Sequence, residues 1–392
     1  MATLEIFLIT CTIVSITYYV FSLYCTVSFF NKKVEGDDNY LPPISILKPI
    51  NGIEDGIYDN FLSYCIQDYP AYQVVFGVRD SHDPAIDVVR KVIQTFPQKD
   101  IELVICSDQI GINPKINNLN NMYKKAKYDI ILMNDSDTRV NGDYLKEVVL
   151  PFCDKDTGLV TCVYRANVMN NFTSMMESVS INHDFLPSIM LARKFEDLSY
   201  AFGVTIVTKR KILDDIGGFN ELSDYLAEDF HLGRKVYEAG YRLRLSNYIV
   251  DVVPDNGGII NFFKHQLRWA KTIRSCRPVG YFFSAFFKFG IVSSLAYLIL
   301  TSCSPTEKGT VQVLPVILFV IFLSVRIIST SIISHKFTKD KKTTLLFLPI
   351  NDIVSFIIWC ASFLGNKITW KGGKFLLKKG GRIEASVDHQ GY

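Results

Sequence analysis

Between residues 40 and 275, short apolar runs alternate with amphipathic segments. That alternation predicts an α/β domain on a mostly parallel sheet flanked by helices. The apolar runs are continuous rather than every-other-residue, as expected of strands covered on both faces. One long apolar stretch precedes this region and three follow it, which adds an N-terminal transmembrane helix and C-terminal membrane segments.

The expected strands are 44–47, 73–78, 101–105, 129–133 and 158–163, with helices at 58–66, 84–96 and 115–125 between them. The second half is less regular. Residues 175–192 read as a helix containing Pro187, 203–208 as a strand, and 209–218 as a short helix closed by two glycines. A helix over 227–239 ends at Gly240, 242–253 is extended, and 261–274 is an aromatic-rich helix.

Residues 4–30 are almost uninterrupted apolar sequence with one charge, Glu5. Crossing a bilayer takes about 20 residues. No small-residue cleavage pattern follows, so the segment reads as a retained anchor. Lys32 and Lys33 come next, which puts the amino end outside and the following chain in the cytosol. The later stretches are 282–301, 311–333 and 344–365. The basic loop 335–342 belongs in the cytosol. Pro349 and Asp352 interrupt the last stretch, which predicts a re-entrant or interfacial helix pair and a cytosolic basic tail. The expected divisions are therefore an anchor at 1–33, a cytosolic catalytic domain at 40–278, membrane segments at 282–365 and a tail at 366–392.

Apolar residues make up 48% of the 392, with 20 Tyr and 28 Phe, an excess that the membrane segments absorb. A net charge of +3 gives no field that would recruit nucleic acid. The nine cysteines form no C-x-x-C and no zinc-spaced cluster, so they read as free thiols in a reducing compartment. Asn171-Phe172-Thr173 is a glycosylation sequon that a cytosolic domain would not use.

Asp135-Ser136-Asp137 follows the apolar run 128–133, with Asn134 between them. Side chains two apart on a strand share a face, so the run ends by presenting two carboxylates together. At the carboxyl edge of an open α/β sheet, where ligands bind, such a pair suits a divalent cation shared with a diphosphate. Asp80 closes another strand at the same edge, as a cap for the following helix or as a contact to a nucleotide. Lys115 stands near a helix N-terminus, where the dipole disfavours a cation, so it either faces a phosphate or lies on the surface. Glu228-Asp229 opens a helix, as dipole partners or with a general base among them. His265, Arg268 and Trp269 fall on one helical face and make a credible diphosphate clamp. Lys271, Arg274 and Arg277 read as an interfacial basic belt.

These points, in this order, resemble the inverting GT-A glycosyltransferases that carry three aspartates followed by (Q/R)-x-x-R-W, and specifically the ceramide glucosyltransferase family with its bacterial hopanoid-lipid branch. The stretches that carry the resemblance are Lys48-Pro49-Ile50-Asn51-Gly52, Asp80-Ser81-His82-Asp83-Pro84-Ala85, Gly111-Ile112-Asn113-Pro114-Lys115-Ile116-Asn117-Asn118-Leu119 and Ala227-Glu228-Asp229. A looser echo lies in Ile368-Thr369-Trp370-Lys371-Gly372-Gly373-Lys374. His265 stands where the family signature has Gln or Arg, with Gln266 beside it.

The resemblance implies a GT-A fold and transfer of a sugar, glucose first, from a UDP-sugar to a membrane-lipid hydroxyl. Pro49, Asp80, Lys115 and Asp135 would bind the donor. Asp135 and Asp137 would hold Mg2+ or Mn2+, Asp229 would be the base, and His265, Arg268 and Trp269 would close on the diphosphate or acceptor. His183 falls where the family has a histidine. Such an enzyme would be a multi-pass protein of a bacterial inner membrane or a Golgi-type membrane. The competing readings are a processive polysaccharide synthase and a catalytically silent nucleotide-sugar-binding protein.

Overall fold

The computed structural model describes residues 2–32, 36–37, 39–167, 171–254, 257–302, 313–338 and 342–385. Lys33, residues 339–341 of the basic loop, Cys303 and the tail beyond Ala385 lie outside the described residues. The chain forms two compact units. One comprises Met1–Asn31, Val168–Phe195 and Gly257–Asn366; the other comprises Lys32–Asn167, Glu196–Asn256 and Lys367–Tyr392.

The second unit is the α/β body. Its strands are β1 (Ile44–Ile50), β2 (Tyr72–Val78), β3 (Ile101–Ile105), β4 (Ile130–Met133), β5 (Thr138–Arg139), β6 (Thr157–Ala166), β7 (Ile206–Lys209) and β8 (Arg242–Val252), in the spatial order β3-β2-β1-β4-β7-β6-β8-β5. The β3-β2, β2-β1, β1-β4 and β6-β8 pairs are parallel, and the other three antiparallel. All seven residues of β1 and of β2 are buried, and all four of β4. Strands buried on both faces explain the unbroken apolar runs.

Pro49 lies inside β1, yet the β1-β4 ladder stops at Leu47↔Met133. The Ile44 amide faces the β2 side, bonding the Ala71 carbonyl, and the Leu47 carbonyl faces the β4 side. The odd-numbered positions thus face β4, and the missing amide of Pro49 falls where that ladder has ended, which is where a strand tolerates proline. A separate sheet closes this unit: β9 (Lys367–Trp370), β10 (Gly373–Leu377) and β11 (Ile383–Ala385), all antiparallel. Ile368, Leu377 and Ile383 form its core with Leu226.

The first unit is helical. Its helix Ala2–Phe30 and its helices Val313–Ile333 (extended by a wider turn to Thr338) and Leu348–Ser362 (18 residues counted from Leu345) are long and apolar enough to cross a membrane. Tyr18 and Tyr19 of the first pack with Ile291 and Phe322. At Gly290 a Cβ would come within 2.4 Å of the Phe322 ring and 2.6 Å of Ser15, so glycine permits that close helix approach, as small residues do between membrane helices.

Two membrane expectations differ from the structure. The 282–301 stretch is divided among Pro278–Phe283, Ala285–Lys288 and Gly290–Ser302. The last stretch is a helix, not a re-entrant pair. Pro349 stands in the first turn, where its missing amide is harmless. Asp352 is buried and receives Arg326 Nη2 at 2.8 Å and Nε at 3.2 Å. Arg326 also donates to Asp184 (2.7 Å) and the His183 carbonyl (3.1 Å), and its guanidinium lies 4.5 Å from the Tyr19 ring. His183 and Asp184 belong to a widened turn, Ser180–Phe185, between the helices Phe172–Val179 and Leu186–Phe195. Asn171 of the sequon caps the first of these helices by accepting the Ser174 amide.

Candidate active site

β1, β2 and β4 run parallel, so their carboxyl ends share one edge of the sheet, and the loops carrying Asn51, Asp80 and Asp135 all leave from there. The helix Pro114–Tyr123 starts near the same edge. Asn113 caps it by accepting the Lys115 and Ile116 amides at 2.8 and 3.2 Å, while its own amide donates to the Tyr225 carbonyl and to Glu228. Asn118 ties the helix to the carbonyls of Ile50 and Gly77 at the ends of β1 and β2. The asparagines of the Gly111–Leu119 motif are therefore the scaffold that aims Lys115.

The Lys115 ammonium lies 2.5 Å from Asp135 Oδ1 and 2.6 Å from Glu228 Oε1. Burial pulls its pKa down, but Asp135, Glu228 and Asp229 together hold it well above the ordinary lysine range. Asp229 opens the helix Glu228–Glu238, accepting the Phe230 amide on Oδ1 and the Gly203 amide on Oδ2, both at 2.8 Å. A Cβ on Gly203 would stand 2.8 Å from Asp135 Oδ2 and 3.2 Å from the Lys115 ammonium. Asp135, Lys115, Gly203 and Asp229 thus meet at one point, and only glycine fits among them.

Asp229 is raised to about 7, first by burial and then by the neighbouring Glu228 charge, against the pull of Lys115. Asp137 is raised to about 8 by burial, by Asp135 and by Glu54, with Lys48 and Lys371 acting the other way. Burial also opposes ionisation of Asp135, yet Lys115, Lys48 and Lys371 carry its pKa below the usual value. Asp137 Oδ1 is buried without a hydrogen-bond partner. That oxygen suits a divalent ion. A carboxylate that like charges drive towards protonation, with one lone-pair face unused, is a donor that a hard cation would ionise and satisfy. Among the described residues, no group of three or more acidic, His or Cys side chains is placed to hold a metal. Asp135 and Asp137 stand in the connection between β4 and β5, past the end of the strand, so they do not share a strand face; they would be the protein's donors to such an ion, with other positions left to phosphate oxygens.

Lys48, Glu54 and Gly203 were not among the site residues expected from sequence. Lys48 is wholly buried beneath the Asp135 loop, donating to the Asp135 carbonyl (2.7 Å), Thr138 (3.1 Å) and Asn134 (3.4 Å), with Tyr64 3.9 Å away. Burial brings it down to about 7, against Asp137 and Asp135. A charged side chain inside an apolar strand was the available signal. Glu54 accepts from Ser136 between the two aspartates at 2.7 Å.

Asp80 is exposed. It accepts the His82 amide at 2.9 Å, which lowers its pKa, and so closes a local turn instead of capping the next helix, whose Ala85 amide goes to Asp83 at 2.9 Å. In the helical unit, His265 Nδ1 lies 3.0 Å from Glu177, and the His265 and Trp269 rings are 4.7 Å apart on the helix Gly258–Cys276, which also carries Arg268. The His265–Trp269 contact fits the face that their spacing gives them. His183 is buried within the same unit, 3.4 Å from Ser334. Every described cysteine is a free thiol.

Among solved structures, the chain resembles the mannosyltransferase PcManGT from Pyrobaculum calidifontis, solved in complex with GDP-Man and Mn2+. The TM-score is 0.59 at 18% identity, covering 92% of this chain and 99% of that one. That likeness shows the GT-A fold. Ceramide glucosyltransferase 3 of Caenorhabditis elegans is 28% identical over 236 residues, 60% of this chain, and the match spans about half of that relative's length (51%). Ceramide glucosyltransferase 1 of the same organism is 23% identical over 386 residues, 97% of this chain and 81% of the relative. The family model for glycosyl transferase family 21 matches residues 7–383, nearly the whole sequence, and the chain belongs to that family.

Proposed function

We propose that the protein is a membrane-bound inverting hexosyltransferase that moves a sugar, glucose first, from a UDP-sugar to the hydroxyl of a ceramide-like or hopanoid lipid. Its catalytic body would face the cytosol, with the apolar helices of the other unit in the bilayer. The observation that carries this reading is the meeting of Asp135 and Asp229 at Gly203, with Lys115 between Asp135 and Glu228. Relatives named ceramide glucosyltransferase supply the substrate class.

A sugar diphosphate already carries its leaving group, so the protein must orient an alcohol, remove its proton and accommodate the departing charge. Asp229 is suited to the proton. Two backbone amides fix its carboxylate, and a pKa of about 7 matches abstraction near neutral pH. Glu228 is engaged by Lys115 and Asn113, so it tunes Asp229 rather than competing with it. A divalent ion at Asp135 and Asp137 would, when bound, supply positive charge to the diphosphate oxygens. Lys48 holds the loop that presents both carboxylates. A single displacement inverts the anomeric carbon, so an α-linked donor yields a β-glycoside. Pro49 and Asp80 at the same sheet edge are proposed donor contacts. The roles of His265, Arg268 and Trp269 on the diphosphate or acceptor rest on their motif alone.

The test is lipid mass spectrometry of a host expressing the protein against one expressing Asp229→Asn. A new hexosyl lipid is expected in the first and a drop of about 10²–10⁴-fold in the second, with UDP binding kept. Undiminished transfer by Asp229→Asn would remove the base assignment, and the absence of any new glycolipid would remove the substrate class.

A further inference from the structure

The hairpin of β9 and β10 turns through Lys371 and Gly372 alone, since Trp370 pairs with Gly373. Both turn residues have positive φ, 45° and 80°, as a two-residue hairpin requires. Lys371 is the sole non-glycine residue with positive φ among the described residues. Asn, Asp or Gly is the usual occupant of such a position, and a strained side chain persists where its surroundings demand it, commonly at binding sites.

The surroundings here are the acidic loop. Lys371 Nζ lies 3.0 Å from Glu54 Oε1, and the other oxygen of Glu54 accepts the hydroxyl of Ser136 at 2.7 Å. The ammonium acts electrostatically on both Asp135 and Asp137. The hairpin does not reach there by chance. Ile383 donates to the Asp224 carbonyl and Leu226 to the Gly381 carbonyl, so the small sheet is fastened to the segment that leads into Asp229. The segment that leads into Asp229 therefore also anchors the small sheet that carries the hairpin.

We propose that Lys371 is a diphosphate-binding residue, held on Glu54 until a nucleoside diphosphate offers its oxygens in exchange. The proposal rests on the reading of Asp135 and Asp137 as the donor site. Exchange is inexpensive because the pair is partly exposed, and pairs of that kind contribute little. A diphosphate presents more negative charge than one carboxylate and makes charge-assisted hydrogen bonds.

The experiment measures UDP and UMP affinities, with Mg2+ present, of the full-length protein in detergent. Lys371→Gly is the informative variant, because it removes the ammonium at a φ that glycine favours and so spares the hairpin. UDP binding should weaken by about tenfold, the worth of one charged hydrogen bond, while UMP binding stays within about twofold. Lys371→Arg should restore UDP binding, and Glu54→Gln should keep or tighten it. Unchanged UDP affinity in Lys371→Gly overturns the proposal and leaves the donor site standing. Equal loss for UDP and UMP also overturns it, because the hairpin would then be a purely structural support. A folded wild-type protein that binds no UDP overturns the donor site and this proposal together.

Discussion

Each unit holds a buried cation among carboxylates, and the two clusters are built to opposite rules. In the helical unit Arg326 makes two bonds to Asp352, one to Asp184 and one to the His183 carbonyl, and Asn351 donates to the second oxygen of Asp184. The cluster is saturated, and it links two of the long apolar helices to the turn Ser180–Phe185, as buried charges between helices that cross a bilayer would need. In the α/β unit, Asp135, Asp137, Glu228 and Asp229 outnumber Lys48 and Lys115, Asp137 keeps a buried oxygen without a partner, and both Asp137 and Asp229 are driven towards protonation. Saturation marks a staple, whereas a surplus of negative charge fits the cation site proposed here.

The comparison breaks most visibly at Arg326. Arg326→Leu should cost about 3–5 kcal/mol of stability, because Asp352 is left buried and uncompensated. Replacing Arg326 and Asp352 together by leucine should recover most of that loss. Thermal unfolding in detergent measures both, and a double variant no better than the single one would show that the pair is not the unit of stability. The opposite behaviour is expected of Asp137→Asn. Transfer should fall by about 10³-fold through loss of the carboxylate proposed to bind the metal, while the protein unfolds at the same or a higher temperature because a like-charge contact is gone. Assays of UDP release and unfolding on one preparation separate these outcomes.

Gly203 sharpens the comparison inside the active site. Gly203→Ala should reduce transfer by about 10²-fold, since a methyl group 2.8 Å from Asp135 Oδ2 must displace the carboxylate or the base that the same residue holds. Stability should change far less, because neither cluster loses a charge. An alanine variant with full activity would mean that Asp135 and Asp229 need not share this contact.

How much of this was legible depends on how local each feature is. The strand ending at Met133, the Asn113-Pro114 helix start and the Glu228-Asp229 opening are written in neighbouring residues, and all three stand where the pattern put them. The motif has Lys115 facing a phosphate or the surface, and the structure gives it Asp135 and Glu228. Partners 20 and 113 positions away leave no trace in the motif. Gly203 looked like the start of a strand. Its importance arises because β7 inserts antiparallel between β4 and β6, a non-local pairing. Asp352 read as an interruption of an apolar stretch, and Arg326 is a charge inside another. Each is a flaw alone and sensible only beside the other. The hairpin echo at 368–374 was visible as a motif, but its reach to Glu54 spans more than 300 residues of sequence.

The mildest prediction concerns pH, and it sets activity against stability in one group. Asp229 must be ionised to take a proton, and burial with the Glu228 charge places its pKa at about 7. The transfer rate should therefore rise by about tenfold per pH unit below 7 and level off above it. Stability runs the other way. An unfolded aspartate titrates near 3.9, so between about pH 4 and 7 the folded chain binds the extra proton, and the Asp229 contribution is intact at low pH and lost as pH rises through 7. Asp137 acts with the same sign at slightly higher pH, so the contribution of Asp229 is read as a difference. Subtracting the unfolding profile of Asp229→Asn from that of the wild type should leave a descending step ending near pH 7. A step of the opposite sign would mean that Asp229 is stabilised as the anion, and its assignment as a base tuned to neutral pH would fail.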